Sequence, residues 1–258
     1  MRRGLVGSRT EAAGLIAARR VLVGGAFAEK AARLVAAGDP VEVMGPPARF
    51  VGRGGDKLAG ALHGFGIDPT GRSCLDAGSS TGGFTDCLLQ RGARRVVAVD
   101  VGRGQLDPRL REDARVDVRE QTDIRTVDRV VLGGPVDVVV ADLSFIGLRL
   151  VLSALVASAA AGADLVVLVK PQFEAGAAEA SRGKGVISDP AVWRRVLIEA
   201  MEAVAASGAA MMGAMVSPLR GAAGNVEFFL HASMTVDTSS FPVEATARSL
   251  AASAAEGP

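Results

Sequence analysis

A glycine-rich segment at residues 75–85, Leu-Asp-Ala-Gly-Ser-Ser-Thr-Gly-Gly-Phe-Thr, places the strongest constraint on how this chain can fold. It follows a short apolar segment typical of a strand and leads into a sequence typical of a helix. Because glycine has no Cβ atom, Gly78, Gly82 and Gly83 can adopt positive φ and let a ligand approach the backbone. The first N–H groups of the following helix lack partners within it. The segment therefore predicts a loop that binds a nucleotide-type cofactor.

Apolar segments alternate with helical segments from residue 72 onward, which is typical of a parallel sheet with helices on both faces. The last two strands are joined by a short turn at 218–221, and this predicts an antiparallel hairpin at the sheet edge. We therefore predict an α/β fold with a seven-stranded, mainly parallel sheet. The predicted strands cover residues 73–76, 95–100, 114–118, 136–141, 164–169, 211–217 and 225–231.

Asp100 ends the second predicted strand about 20 residues after the glycine loop, the separation at which an acidic side chain binds a ribose diol. Both NAD and S-adenosylmethionine carry such a diol. The loop lacks the order G-x-G-x-x-G, which favours S-adenosylmethionine over the nicotinamide cofactor. The alternative is that Asp100 only caps the end of its strand.

Two further charged residues, Asp142 and Lys170, directly follow the fourth and fifth predicted strands. In an open parallel sheet these strand ends line the ligand crevice, so both side chains should face the glycine loop. Lys57 in a predicted helix and Glu227 in the last predicted strand complete a set of two lysines and two acids. Taken alone, Lys57 is an ordinary solvated lysine and the others are salt-bridge partners. Four such residues converging near one cofactor instead favour a catalytic site.

The order Lys57, Asp142, Lys170, Glu227 resembles the K-D-K-E tetrad of FtsJ-like RNA 2′-O-methyltransferases. The surrounding sequences resemble those of the TlyA family through residue 230; they are residues 76–86, Asp-Leu-Ser-Phe-Ile at 142–146, Lys-Pro-Gln-Phe-Glu-Ala-Gly at 170–176 and Gly-Asn-Val-Glu-Phe at 224–228. The resemblance implies a class I, Rossmann-like methyltransferase domain that uses S-adenosylmethionine. It also implies methylation of cytidine 2′-hydroxyls in the ribosomal RNA of one or both subunits.

A ribose 2′-hydroxyl is a poor nucleophile, so the site must orient it and help to remove its proton. We expect Lys170 to act as the base and Lys57 to supply a second positive charge. Asp142 and Glu227 are expected to orient the two amines.

The resemblance and the loop together assign a set of cofactor-binding residues. These are Asp76, Gly78, Ser80, Gly82, Gly83, Phe84, Asp100, Asp123 and Asp142. Asp123 is expected near the adenine, although the family more often has Asn at this place. Phe145 and Phe173 are candidates for stacking on a nucleobase, or for aromatic packing at a strand end.

The first 45 residues are expected to form a separate basic module. Residues 1–50 contain eight Arg or Lys and four acidic residues, whereas the whole chain carries a net charge of +1. A capping box at residues 8–11, a short helix and strand-like segments near residues 21 and 42 resemble the α+β S4 RNA-binding module. Such modules usually begin with a further helical segment, so we expect this one to be shortened. The residues expected to contact RNA, or else to form a solvated face, are Arg2, Arg3, Arg9, Arg19, Arg20 and Arg49.

The remaining boundaries follow from composition. Residues 46–52 form a Pro-containing linker, and residues 53–233 form the methyltransferase domain. Residues 234–258 are dominated by Ser, Thr, Ala, Glu and Gly, which predicts a flexible tail.

The two cysteines, Cys74 and Cys87, indicate neither a disulfide framework nor a metal site. Since no export signal or membrane-spanning segment is evident, we expect a cytoplasmic enzyme that acts on ribosomal RNA within ribosomal subunits, without a metal or a membrane partner. One alternative is a noncatalytic RNA-binding factor that retains the methyltransferase fold. Another is a membrane-lytic haemolysin, a name also given to TlyA proteins.

Overall fold

The computed structural model describes residues 3–6, 9–45, 48–176, 179, 181, 183, 185–221, 223–235 and 241–256, without the side chains of residues 9–11. Within these ranges the chain forms a small N-terminal module and a larger α/β domain. The elements of the module are α1 (Arg9–Ala17), β1 (Val21–Val23), β2 (Ala26–Phe27) and β3 (Val41–Val43).

The three short strands of the N-terminal module form an antiparallel sheet in the order β2-β1-β3. Gly24 and Gly25 both have positive φ and form the tight turn between β1 and β2. The buried core is small and consists of Val21, Val23 and Ala28, against which residues of α1 pack.

The larger domain has one seven-stranded sheet with helices on both faces. Its elements are α2 (Arg53–Phe65), β4 (Ser73–Ala77), α3 (Gly83–Gln90), β5 (Arg95–Val99), α4 (Pro108–Arg111), β6 (Val116–Arg119), β7 (Val136–Ala141), α5 (Leu152–Ser158), β8 (Ala159–Val169), α6 (Pro171–Glu174), α7 (Pro190–Ala206), β9 (Ala210–Val216), β10 (Phe228–Ser233) and α8 (Val243–Glu256), with 3-10 turns at Ile124–Thr126 and Leu148–Leu150.

The strand order is β6-β5-β4-β7-β8-β10-β9, and only β10 runs antiparallel to its neighbours. This confirms the predicted seven-stranded, mainly parallel sheet with an antiparallel hairpin at its edge. The hairpin inserts β10 between β8 and the edge strand β9. As a result, the start of β10 lies at the same edge of the sheet as the ends of the parallel strands.

Alternate residues of the central strands pack into two separate cores, as the period of a strand requires. Cys74 in β4 packs with α2 and α3 on one face, and the neighbouring Leu75 packs in the core that contains α5, α7 and α8. Because both faces are covered, the strands are apolar throughout, which is why the sequence shows continuous apolar segments.

Strand β8 begins at Ala159, five residues before its predicted start. Residues 159–162, Ala-Ala-Ala-Gly, resemble a turn, and Gly162 has a φ of +75°. Backbone hydrogen bonds with Met234 nevertheless extend the pairing, since Gly162 N donates to Met234 O and Met234 N donates to Ala163 O. These bonds keep the early residues of β8 in the sheet.

The prediction of a flexible tail over 234–258 is wrong for residues 243–256, which form helix α8. Ala247, Ala251 and Ala254 lie on one face at helical spacing and are buried against the core that contains α7. Small side chains let two helices approach closely, so a low hydrophobic content still gives a packed interface. No helix in the described part of the chain is both long and apolar enough to cross a membrane.

Candidate active site

The antiparallel direction of β10 brings two of the predicted catalytic residues together. Phe228 in β10 pairs with Val169 in β8, so Glu227 before β10 and Lys170 after β8 leave the sheet at the same edge. Asp142 follows β7, the other neighbour of β8, and its N–H donates to the carbonyl of Ala77 at the end of β4. Three members of the tetrad, Asp142, Lys170 and Glu227, therefore lie at strand ends beside the glycine loop.

Lys57 reaches this edge from helix α2. Its Nζ lies 2.5 Å from Glu227 Oε2, and the exposed fractions of the two side chains are 10% and 3%. The interpretation of Lys57 as a solvated lysine is therefore wrong, because the residue is buried with its charge paired. A buried charge is tolerated only with a partner, which explains why the chain keeps both residues.

Lys170 and Asp142 form the second ion pair, with Nζ and Oδ1 2.5 Å apart. The same Nζ donates to Ser144 Oγ at 2.9 Å. The exposed fraction of the Lys170 side chain, 11%, is close to the 10% of Lys57, whereas Asp142 at 21% is more exposed than Glu227 at 3%. The structure thus gives each lysine one carboxylate, and the carboxylate that pairs with Lys170 is the more exposed of the two.

The glycine loop closes tightly onto the Asp142 strand end. Gly78 has a φ of +87°, and a Cβ atom there would lie 2.5 Å from Asp142 O. Gly82 has a φ of +98°, and its Cβ would lie 2.3 Å from Leu110 Cδ1. Ser80, between them, also has a positive φ of 47°, which is uncommon for a residue with a side chain. Glycine is therefore required at positions 78 and 82 because of close packing within the chain, as well as for access of a ligand to the backbone.

Two predicted cofactor-binding residues contribute to the core instead. Phe84 is 3% exposed, and its ring lies 6.2 Å from that of Phe229. A Cβ atom on Gly83 would lie 2.9 Å from Gly55 N, so Gly83 permits the close approach of α2 and α3. The Phe84 side chain is therefore not available to a cofactor in this conformation, and at most its backbone can take part.

Asp76 is fully buried at the end of β4, immediately before the loop. Thr85 Oγ1 donates to its Oδ2 at 2.6 Å, while its Oδ1 has no hydrogen-bond partner among the described residues. Burial raises the pKa of Asp76 to about 7, and the negative charges of Asp142 and Asp100 act in the same direction. An unpaired acidic oxygen at this position fits a ligand that brings a hydrogen-bond donor or a positive charge.

Asp100 holds the loop in shape while it faces the same crevice. Its Oδ2 accepts the N–H of Ser80 at 2.8 Å, and its Oδ1 accepts the N–H of Gly102 at 2.6 Å. Each oxygen retains a further acceptor site. The adjacent Val101 is 73% exposed.

The Asp123 carboxylate caps the 3-10 turn at Ile124–Thr126. It accepts the N–H of Arg125 at 2.9 Å and the guanidinium Nη2 at 2.5 Å. These hydrogen bonds from Arg125 lower the pKa of Asp123 to about 2. Because Arg125 donates to both oxygens, a contact of this carboxylate with adenine would use only their remaining acceptor sites.

The predicted RNA-binding arginines of the N-terminal module have intramolecular partners where the structure describes them. Arg3 donates to the carbonyls of residues 36, 37 and 39, and Arg20 Nε donates to Met44 O at 2.7 Å. Arg19 lies 5.0 Å from the ring centroid of Phe27, and Arg49 lies 4.8 Å from that of Phe50. Arg2, Ser8 and the side chain of Arg9 are outside the described residues.

Phe145 and Phe173 lie next to Lys170. Their ring centroids are 5.0 Å apart, and Lys170 Nζ lies 5.8 Å from the Phe173 ring. Phe145 is 91% exposed and has a φ of +64°. The alternative of aromatic packing at a strand end therefore holds for the contact with Phe173, but most of the Phe145 ring faces solvent.

The described residues contain no group of three or more His, Cys, Asp or Glu side chains that could hold a metal ion. Cys74 and Cys87 are both buried free thiols. The described site brings together two lysines, the carboxylates of Asp142 and Glu227, the Ser144 hydroxyl and the glycine loop.

The strand order, the single antiparallel strand, the acid near the end of β4 and the acid after β5 define a class I methyltransferase fold. A family model for FtsJ-like methyltransferases matches residues 50–234. The TlyA 16S/23S rRNA (cytidine-2′-O)-methyltransferase of Mycobacterium tuberculosis is 49% identical over 231 residues, which cover 89% of this chain and 86% of that protein. The chain belongs to the FtsJ-like methyltransferase family, and within it to the TlyA proteins.

Two further relatives extend the comparison. The TlyA 23S rRNA (cytidine-2′-O)-methyltransferase of Campylobacter jejuni is 34% identical over 182 residues, covering 70% of each chain. A solved structure from Streptococcus thermophilus, titled as a hemolysin, has a TM-score of 0.82 at 35% identity and covers 99% of this chain and 93% of that one. A solved structure at 35% identity thus shares its fold with this chain over the aligned 99%.

Proposed function

We propose that this chain transfers a methyl group from S-adenosylmethionine to the 2′-hydroxyl of cytidine in ribosomal RNA. The observation that carries the proposal is the pairing of two lysines with two carboxylates at the edge of the sheet where the glycine loop lies. The names of the relatives from M. tuberculosis and C. jejuni support the choice of substrate. They differ in whether the small-subunit RNA is included, so the target subunit is open to direct test.

The residues around the loop fit the proposed cofactor. Asp76 offers a buried acidic oxygen without a partner among the described residues, which suits an ammonium group, and Asp100 retains acceptor sites for a ribose diol. Gly78 leaves the space that a Cβ atom would fill. When bound, S-adenosylmethionine supplies an electrophilic methyl group on its sulfonium. Cofactor binding is therefore assigned to Asp76, Gly78, Ser80, Asp100 and the neighbouring loop.

Lys170 is assigned the removal of the 2′-hydroxyl proton, for which its ammonium must first pass a proton to Asp142 or to solvent and so free the lone pair of the amine. Its amine is held from two sides by Asp142, the more exposed of the two carboxylates, and by the Ser144 hydroxyl. A base fixed in this way meets the hydroxyl in one orientation, which lowers the entropic part of the barrier. Lys57 supplies a fixed positive charge that favours the developing alkoxide, and Glu227 keeps that buried lysine in place.

The exposed ring of Phe145 provides a surface on which the target base or its neighbour can stack. Base–aromatic stacking contributes about 1–3 kcal/mol per base and needs an accessible ring face. The Phe173 ring packs against the Phe145 ring, with 5.0 Å between their centroids. A Phe145→Ala variant should therefore bind RNA more weakly without a change in cofactor affinity.

Residues 1–45 are proposed to act as an S4-like module that docks ribosomal RNA, with residues 46–52 as the linker to the enzyme domain. The excess of arginines over acids in this region favours contact with phosphates. Since the substrate proposed here is ribosomal RNA, we assign the protein to the cytoplasm.

The two alternatives make different predictions. A noncatalytic RNA-binding factor would bind ribosomal subunits without methylating them, and a membrane-lytic protein would lyse vesicles. The complete tetrad favours an enzyme over a binding factor. Incubation of the purified chain with radiolabelled S-adenosylmethionine and isolated small or large subunits from an unmethylated source tests the proposal and the noncatalytic alternative. A dye-release assay on vesicles tests the membrane-lytic alternative. Label at a cytidine 2′-oxygen supports the proposal, whereas subunit binding without label, or dye release from vesicles, contradicts it.

A further inference from the structure

The segments that follow β7 and β8 lie side by side. Near the sheet they are joined by the contacts of Lys170 with Asp142 and Ser144, and further out the rings of Phe145 and Phe173 are in contact. We call residues 142–148 the strand-end loop. The loop is thus tied to the Lys170 segment at several points along its length.

The last of these ties comes from Glu174, which ends helix α6. Its Oε1 accepts the backbone N–H of Leu148 at 2.8 Å. Its second carboxylate oxygen lies against Gly147, where an added Cβ atom would be 3.4 Å away. Burial raises the pKa of Glu174 and Glu199 acts in the same direction, while the hydrogen bond from the Leu148 N–H and the charge of Arg149 oppose the rise. The Glu174 carboxylate therefore accepts the Leu148 N–H at a place where desolvation disfavours its negative charge.

The loop needs such support because Phe145 is strained. A residue with a side chain at φ +64° costs roughly 1–2 kcal/mol, and the ring, which is 91% exposed, gains little from burial. Nothing in Phe145 itself stabilises this conformation apart from the contact with Phe173. The conformation must therefore be imposed from the two ends of the loop, by Asp142 at the sheet and by Glu174 at Leu148.

We propose that Glu174 is a positioning residue that fixes the strained strand-end loop, so that Ser144 and Phe145 stay in register with Lys170. The inference rests on the proposed function, since that register matters only if Lys170 and Phe145 meet the RNA. Glu174 acts through the loop and does not itself touch the substrate. The side-chain oxygen of Glu174 that accepts the Leu148 N–H fixes the loop, and the negative charge of the carboxylate is not required.

The test compares Glu174→Gln, which keeps the acceptor oxygen, with Glu174→Ala, which removes it. We expect Glu174→Gln to retain wild-type methyl transfer and Glu174→Ala to lose about tenfold in kcat/KM for RNA, the effect of about 1.4 kcal/mol. The dissociation constant for S-adenosylmethionine should change less than twofold in both. Glu202→Ala on the exposed side of α7 is the matched control and should behave as wild type. Equal activity of the Ala and Gln variants, or equal loss in both, would overturn the proposal.

A second measurement works without RNA and without turnover. Phe145→Trp places an indole on the loop, and its fluorescence anisotropy can be compared in the wild-type, Glu174→Gln and Glu174→Ala backgrounds, with Trp193 as a constant buried signal. We expect the anisotropy to fall only with Glu174→Ala, and an unchanged value would contradict the role of Glu174. If the wild-type chain fails to methylate RNA while the anisotropy still falls, the proposed function fails and the positioning of the loop stands. Should Glu174→Ala not fold, Glu174→Asp, whose shorter side chain cannot reach Leu148 N, takes its place.

Discussion

The ammonium of Lys57 lies 2.5 Å from Glu227 Oε2, with one residue on helix α2 and the other immediately before β10. The two are 170 positions apart in the chain, and both are buried. This pair joins the first helix of the enzyme domain to its last strand. It also fixes a positive charge at the edge of the sheet where Lys170 lies.

Breaking this pair should cost stability as well as activity. Glu227→Ala leaves the Lys57 charge buried without a partner, so we expect the free energy of unfolding to fall by roughly 3 kcal/mol in urea titrations. The double variant Lys57→Met, Glu227→Leu removes both charges and should recover most of that loss while staying inactive. A single variant as stable as wild type would contradict the assignment of a buried, paired charge.

The stability of the protein should depend on pH through Asp76. Its pKa is about 7 in the folded chain and about 3.9 in an unfolded one, so the native state binds more protons between these values. The free energy of unfolding of wild type, relative to Asp76→Asn, should therefore fall as pH rises from 5 to 7, by up to about 1.4 kcal/mol per pH unit. Above pH 8 the difference should level off. Urea titrations of both proteins across this range give the slope, and a difference independent of pH would contradict the raised pKa.

The two thiols should be inert in the folded protein. Cys74 and Cys87 are fully buried, and burial raises the pKa of each to about 12. Since the thiolate is the reactive form, neither should react with a chromogenic disulfide reagent at pH 8. The same protein in guanidinium should release two equivalents of the reporter. Rapid reaction of the native chain would place a thiol at the surface.

Helix α8 should contribute to the fold. Ala251→Asp puts a charge into its buried face, so we expect a loss of several degrees in Tm. Ala252→Asp places the same charge on the exposed neighbour and is the matched control. Equal melting temperatures for the two variants, measured by circular dichroism, would support the flexible tail that composition suggested.

Much of the fold could be predicted from the sequence because its signals are local. The apolar strands and the glycine loop at residues 78–83 depend on neighbouring residues. Asp142 and Lys170 follow two strands whose ends a parallel sheet must bring together. Helix α8 was missed because its interface is made of alanines, whose contribution appears only once α7 is in place. Composition alone does not distinguish such a helix from a tail.

The candidate site could be predicted only in part, because some of its contacts join distant parts of the chain. The residue types of Lys57 and Glu227 could be identified, but their burial depends on a long-range contact between α2 and β10. Phe84 and Asp123 fall at positions expected to touch the cofactor, yet the first packs into the core and the second is held by Arg125. Such competition between local contacts and ligand contacts is not visible in sequence spacing.

The most direct test of the account measures methyl transfer by Lys170→Ala beside wild type and Glu202→Ala. With isolated ribosomal subunits and labelled S-adenosylmethionine, wild type and the control should methylate a cytidine 2′-oxygen. We expect Lys170→Ala to lose at least about a hundredfold in kcat, as the removal of a general base requires, while its affinity for the cofactor changes less than twofold. Turnover by Lys170→Ala close to that of wild type would contradict the assignment of Lys170 as the base.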